Sequence, residues 1–185
     1  MDDIAKAVEI IQNGGVILYP TDTIWGIGCD PTNEKAIKRI IEIKKRSEGK
    51  SFILLADSIN RVERYVKEFP EVCYDLVDLA TEPLTIIYPV SMGLSPLVCG
   101  EDGSVAFRVT ADMFCRRLIQ QLKKPIVSTS ANISGKSFPI RFEDIAQEIV
   151  DQVDFVLDNP DYIGTKNPSK IIKFSKNGNI ELIRR

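Results

Sequence analysis

The sequence contains no histidine. A Ser-His-Asp triad, a Cys-His dyad and any histidine-ligated metal centre are therefore excluded. Cysteine is scarce: the four are Cys29, Cys73, Cys99 and Cys115. None forms a C-x-x-C pair, which argues against a zinc knuckle or a thioredoxin-like motif. The even count admits disulfides, but the intracellular reading below predicts free, mostly buried thiols. No apolar run approaches the length that spans a bilayer. The N-terminal stretch MDDIAKAVEIIQNGG is acidic and amphipathic, without the basic start and apolar block of a secretory signal. These features predict a cytoplasmic protein with no membrane partner. Two common nucleotide motifs are also missing. No Gly-x-x-x-x-Gly-Lys-Ser/Thr occurs, and Gly26-Ile27-Gly28 lacks a third glycine in register, so the dinucleotide fingerprint fails.

What is present is ordinary globular material. The chain has 185 residues, of which 44% are hydrophobic and 27% charged, enough to bury the core of one domain. The formal net charge of -2 supplies no global field for nucleic acid or anionic membrane. It leaves room for a weak or local RNA contact.

Periodicity organises the chain. Ile4, Ala7, Val8 and Ile11 recur at helical spacing over 2–12, and Asn13-Gly14-Gly15 stops that helix. Val16-Ile17-Leu18-Tyr19 is a continuous apolar run, predicted as a buried strand that Pro20 ends. Residues 21–30 follow as a loop and a return strand. Asn33 caps a helix over 33–45, and Phe52–Leu55 is a strand. Helices are predicted over 58–67, 70–81, 112–122 and near 142–150. Strands are predicted over 84–88, 105–109 and 126–130, and around 154–157, 170–174 and 180–183. Helices and strands interleave without strict βαβ repeats, and the tail is rich in strands. The expected fold class is α/β of the α+β type: one domain, residues 1–185, with helices packed on a twisted mixed sheet.

Four constellations carry candidate chemistry. Tyr19-Pro20-Thr21-Asp22-Thr23 places two hydroxyls and a carboxylate at the end of a buried strand. They either hold a polar ligand or cap the turn's own backbone. Lys44-Lys45-Arg46 with Lys50 gathers cations at a helix end. They either complement the helix dipole or clamp a polyphosphate, Arg as a planar fork and Lys as a point charge. Arg108 interrupts the apolar strand Val105–Val109, with Ser104 on the same face. A buried guanidinium needs an anion, supplied by a ligand or by an acidic residue of the chain. Ser128-Thr129-Ser130-Ala131-Asn132 sets Ser128 and Ser130 on one strand face before an Asn turn. That arrangement either admits a ligand close to the backbone or simply ends a strand.

In this order, Tyr19–Thr23, Trp25-Gly26, Lys44-x-Arg46 and Ser128–Asn132 resemble the pattern of the YrdC-like threonylcarbamoyladenylate synthase family. The resemblance runs over nearly the whole chain, and it implies a YrdC-like fold. It also implies a reaction in which L-threonine, bicarbonate and ATP, with Mg²⁺, give threonylcarbamoyl-adenylate and pyrophosphate. A separate threonylcarbamoyl transferase complex then modifies tRNA. By motif, Thr23 and Arg108 are expected at threonine, with Ser128 beside them. Lys44, Arg46 and Lys50 are expected at the ATP phosphates, with Lys44 and Arg46 assigned the catalytic part. Ser104, Ser130 and Asn132 are expected on the nucleotide side. In the tail, Asn167-Pro168-Ser169 resembles a late serine motif that brings Ser169 to threonine, and Arg184 resembles a late nucleotide-contacting arginine. No protein metal ligand is expected.

The sequence departs from the pattern at several points. Trp25 stands where Tyr or Phe is usual, and Leu55 stands where some members carry a histidine near threonine. Thr81-Glu82-Pro83 replaces Pro-Gly-Pro, and Lys170 replaces a threonine. Attack of a carbamate on the α-phosphate depends on alignment and charge neutralisation, which Lys, Arg and Mg²⁺ supply without histidine. The alternative from another class is an RNA-binding or ribosome-associated module of the same fold that makes no adenylate. The acidic balance argues against strong RNA binding.

Overall fold

A computed structural model describes residues 2–47, 49–157 and 168–185. In chain order its helices are α1 (Asp3–Gln12), α2 (Glu34–Ile43), α3 (Ile59–Glu63), α4 (Val72–Asp78), α5 (Met113–Leu122) and α6 (Gln147–Val150). Its strands are β1 (Ile17–Pro20), β2 (Trp25–Gly28), β3 (Ile53–Ala56), β4 (Leu84–Tyr88), β5 (Val105–Val109), β6 (Ile126–Ser130), β7 (Phe155–Val156), β8 (Lys170–Phe174) and β9 (Ile180–Arg184). The strands form one sheet in the order β7-β1-β2-β6-β3-β5-β4-β8-β9. The pairs β1–β7, β3–β5 and β4–β8 are parallel and the other pairs antiparallel. This is the mixed sheet with packed helices that the interleaved pattern predicts.

Local chemistry explains the element ends. Asp2 accepts from the N–H of Ile4 to cap α1, and Asn33 accepts from Ala36 to cap α2, each satisfying a donor the helix leaves open. After α1 the chain reverses through Gly14 at φ +85°, a conformation that costs a side-chain-bearing residue energy. Pro20 is the last residue of its strand rather than the first beyond it. Three predicted helices are shorter than their sequence pattern. The one over 58–67 is Ile59–Glu63, and the one over 70–81 is Val72–Asp78. The one near 142–150 breaks in two: a 3₁₀ turn at Phe142–Asp144, then α6. The break falls at Ile145 and Ala146, whose ψ angles of 128° and 132° are extended. They turn Ile145 into the core (7% exposed), a case of tertiary burial overriding local propensity.

Two apolar layers sandwich part of the sheet. On one face Ile37, Ile40 and Ile43 of α2, Val62 of α3, Cys73 of α4 and Ile149 of α6 join Leu18, Leu54, Phe107 and Val127. On the other, Ile4, Val8 and Ile11 of α1 and Leu118, Ile119 and Leu122 of α5 cover Ile17, Tyr19, Leu55 and Ile126. The second cover stops halfway along the strands. Side chains alternate along a strand, so Ser128 follows Ile126 on one face of β6 and Ile53 precedes Leu55 on one face of β3. Where the helices end, that face becomes a concavity. All four cysteines are free, Cys29, Cys73 and Cys115 buried and Cys99 half-buried. Burial holds the Cys73 thiol up at about 11. Among the described residues no helix is long and apolar enough to cross a membrane.

Candidate active site

The concavity encloses about 390 Å³ and no helical residue lines it. Its floor is a cross-strand row fixed by register: Ser128 of β6 faces Ile53 of β3, which faces Ala106 of β5, which faces Ile87 of β4. The next row brings Arg108 opposite Thr85, Thr85 opposite Ile171 of β8, and Ile171 opposite Arg184 of β9. The β1–β2 loop supplies Thr23 to the wall, and the segment after α2 supplies Arg46 and Ser51. Three charged residues belong to this lining, Arg46, Arg108 and Arg184, and none is acidic.

Each arginine is held differently. Arg46 follows Lys45, which takes φ +48° and turns the chain out of α2. Its guanidinium lies 4.7 Å from the centre of the Phe52 ring and donates to the carbonyl of Ser51 at 2.8 Å. Its Nε is buried with no hydrogen-bond partner, a costly state for a charged donor, and desolvation lowers its pKa. Arg108 is 4% exposed and forms an ion pair with Asp22. The internal acidic partner foreseen as one of the two readings of this arginine is thus present, and it comes from the Tyr19–Thr23 motif. Arg184 donates to the carbonyl of Ser169 at 2.9 and 2.6 Å and to its hydroxyl at 3.3 Å. That hydroxyl lies 2.7 Å from Thr85 Oγ1. Desolvation and then the neighbouring positive charge of Arg108 push the Arg184 pKa down.

The loop hydroxyls divide their tasks. Thr21 accepts from the N–H groups of Thr23 and Ile24, donates to the carbonyl of Ile24, and lies 3.0 Å from the Thr23 hydroxyl. Thr21 therefore folds the turn, and it lines the cavity together with Thr23. Gly28 in β2 is forced by packing: a Cβ there would lie 2.6 Å from the Val127 carbonyl and 2.7 Å from Tyr19 Cε1.

Seven of the predicted site residues line this one cavity: Thr23, Arg46, Arg108, Ser128, Ser130, Ser169 and Arg184. Four stand outside its lining. Lys44 is 2% exposed, and its ammonium donates to the carbonyl of Ser130, to that of Asn132 at 2.7 Å, and to Asn132 Oδ1 at 3.4 Å. Burial, then the charge of Arg46, brings its pKa down to about 7. Asn132 accepts from the Ser130 hydroxyl and donates to the carbonyls of Ile133 and Lys136, so both residues brace the loop that follows β6. Lys50 lines a neighbouring cavity of about 610 Å³ that shares Arg46. Ser104 is buried at the entrance to β5, with its N–H on Asp102 Oδ1 at 3.0 Å. Leu55 is fully buried beneath α1 and α5, away from the cavity. Asn167 lies outside the described residues. Sequence reasoning left Asp22 and Thr85 without individual roles. It also missed Ser51 and Phe138 of the lining, whose only local signal is that they fall in polar loops.

A basic, hydroxyl-lined hollow on a mixed sheet, built from these motifs, defines a class that comparison with known proteins identifies. Residues 9–185 match the Sua5/YciO/YrdC family, which carries the description telomere recombination, and the chain belongs to that family. It is 32% identical over 96% of its length to threonylcarbamoyl-AMP synthase of Pseudoalteromonas translucida, covering 95% of that protein. It is 33% identical over 93% of its length to threonylcarbamoyl-AMP synthase of Idiomarina loihiensis, covering 94%. Among solved structures it resembles P. abyssi Sua5 complexed with L-threonine, with a TM-score of 0.84 and 31% identity over 92% of the chain. The chain spans 50% of that longer protein.

Proposed function

We propose that this protein is a threonylcarbamoyl-AMP synthase, joining L-threonine, bicarbonate and ATP into threonylcarbamoyl-AMP with release of pyrophosphate. The observation that carries the reading is the cavity lining: three arginines and no carboxylate, over a floor of small hydroxyl and apolar residues. Such a hollow suits a polyanion and its developing charge. Threonine's amine and bicarbonate condense to a carbamate with loss of water. A carbamate oxygen then bonds to the α-phosphorus of ATP as the bond to pyrophosphate breaks. The protein's share is alignment and neutralisation: Arg46 and Arg184 supply positive charge, and Arg108, already balanced by Asp22, supplies a planar donor fork. Thr23, Ser128, Ser130 and Ser169 offer hydroxyls to the amino acid and nucleotide. Lys44 and Asn132 act by bracing the Ser130 turn, and Ser104 acts from the entrance to β5. Lys50 meets the phosphates from the adjoining cavity that Arg46 borders.

Among the described residues no group of three or more acidic or cysteine side chains is assembled to hold a metal ion. With no carboxylate in the lining, Mg²⁺ would be carried by the ATP phosphates rather than by protein ligands and would supply Lewis-acid charge there. The product serves a tRNA-modifying threonylcarbamoyl transferase complex in the cytoplasm. The test is pyrophosphate release from ATP and Mg²⁺ with bicarbonate, with and without L-threonine, using serine and alanine as controls. Release that needs both threonine and bicarbonate is expected. No release with any amino acid from folded protein would return the chain to the RNA-binding reading.

A further inference from the structure

Three aromatic residues line the cavity: Trp25, Phe52 and Phe138. Two of them are already covered. Trp25 is 3% exposed and packs on Phe142 with ring centres 5.3 Å apart. Phe52 is 1% exposed beneath the Arg46 guanidinium. Phe138 keeps 39% of its surface open and is the one exposed aromatic side chain among the described lining residues, in a wall that also holds the aliphatic Ile24 and Pro168. An isolated exposed apolar side chain is ordinary on a protein surface. One that borders a polar cavity leaves an apolar surface where a ligand has to lie.

The loop that presents Phe138 is built rather than slack. Asn132 Nδ2 donates to the Lys136 carbonyl at 2.6 Å, Lys136 N donates to Ile133 O at 3.0 Å, and Ser134 N donates to Lys44 O at 2.8 Å. The Lys44 ammonium in turn holds the carbonyl of Asn132. Beyond Phe138, the Phe142–Trp25 contact ties the far end of the loop to the cavity wall. Lys44 and Asn132 lie outside the lining, yet both anchor the segment that carries Phe138 into it.

We propose that Phe138 is the platform on which the adenine ring of ATP stacks, and that this contact sets a preference for purine nucleotides. The inference rests on the ATP reading above. A triphosphate needs the cations, and the flat, weakly polar base needs an open aromatic face. Stacking reads ring area rather than hydrogen-bonding edges, so the preference is graded, with purines above pyrimidines.

The test measures KM for ATP and for CTP in pyrophosphate release, together with calorimetric binding of a non-hydrolysable ATP analogue. The variants are Phe138→Ala, Phe138→Leu and Phe138→Trp. Loss of one base–aromatic stack corresponds to about a tenfold or greater rise in KM for ATP in Phe138→Ala. Phe138→Leu keeps the apolar character without the plane and stays weak, whereas Phe138→Trp keeps the plane and restores ATP binding. KM for CTP rises less, so the ATP-to-CTP preference narrows, and KM for threonine holds. An unchanged ATP affinity in Phe138→Ala, or equal rises for ATP, CTP and threonine, would overturn the proposal. Wild-type protein that binds the ATP analogue without releasing pyrophosphate would sink the synthase reading alone, since analogue affinity of the variants still decides the platform. Wild-type protein that binds no nucleotide would end both.

Discussion

Replacing Arg108 by alanine separates what the Asp22–Arg108 pair does for the fold from what it does for the substrate. The Arg108 side chain is 5% exposed and that of Asp22 17%, so the pair sits where water screens it little. Removing one partner of such a pair leaves a buried, uncompensated charge and costs about 3–5 kcal/mol. With a urea m-value of about 2 kcal/mol/M, the unfolding midpoint of Arg108→Ala falls by about 1.5–2.5 M. The double variant Asp22→Leu with Arg108→Met removes both charges and fills their volume, and most of that stability returns, because apolar replacement of a buried pair is close to neutral. Pyrophosphate release does not return, because the cavity has lost the Arg108 donor fork, even though removing Asp22 with it leaves the local net charge unchanged. The assays are urea unfolding followed by tryptophan fluorescence and threonine-dependent pyrophosphate release on the same samples. Recovery of activity together with stability would reduce Arg108 to a structural role. A loss below about 1 kcal/mol in the single variant would place it with ordinary surface ion pairs and refute the burial argument.

Three further outcomes are expected. Lys44 has its pKa lowered by burial and by Arg46 from 10.5 to about 7. The unfolded chain therefore binds the extra proton between about pH 7 and 10.5, and stability rises with pH across that window by up to about 1.4 kcal/mol per unit. Lys44→Met flattens that slope, measured by urea unfolding from pH 6.5 to 9.5, and parallel slopes would reject the assignment. Gly28→Ala drives a Cβ into the Val127 carbonyl and Tyr19 ring and costs about 1–3 kcal/mol, read as a lower Tm; an unchanged Tm would mean that β1 and β6 part at no cost. Arg46→Ala reduces kcat/KM for ATP by at least about tenfold, the scale of one charged hydrogen bond. Lys50→Ala, from the adjoining cavity, has the smaller effect, with the fold intact by circular dichroism in both; the reverse order would mean that the phosphates lie on the Lys50 side.

The element pattern was legible wherever a local period matched the burial it implies. Ile4, Ala7, Val8 and Ile11 form the buried stripe of α1, and Asn33 caps α2 as its position before the periodic run suggests. Legibility failed where a nonlocal contact decided. Ile145 and Ala146 leave the helix pattern to bury Ile145, which joins the apolar cluster on that face of the sheet rather than answering to neighbouring residues. The site was legible as four motifs because three lie on strands or at their ends, where strand alternation and chain reversal fix the direction of a side chain from sequence, and the fourth closes α2. Lys44 shows the limit of that reasoning. Its spacing from Arg46 admits a shared phosphate clamp, but the left-handed turn at Lys45 sends one side chain into the Ser130 turn and the other to the cavity.

By itself, the sequence determined the chemistry available to this protein. Without histidine, it offers cations, hydroxyls and a scaffold of alternating helices and strands. Only the tertiary structure decided which of those groups meet. The pairing of β3 with β5 and β6, and of β4 with β8, brings residues as distant in sequence as Arg46, Arg108 and Arg184 around one hollow. The pairing of β2 with β1 and β6 carries Asp22 to Arg108, and Phe138 stays partly open on the loop after β6. Periodicity reports which side of an element is buried, whereas the register between strands far apart in the chain is a property of the whole packed sheet.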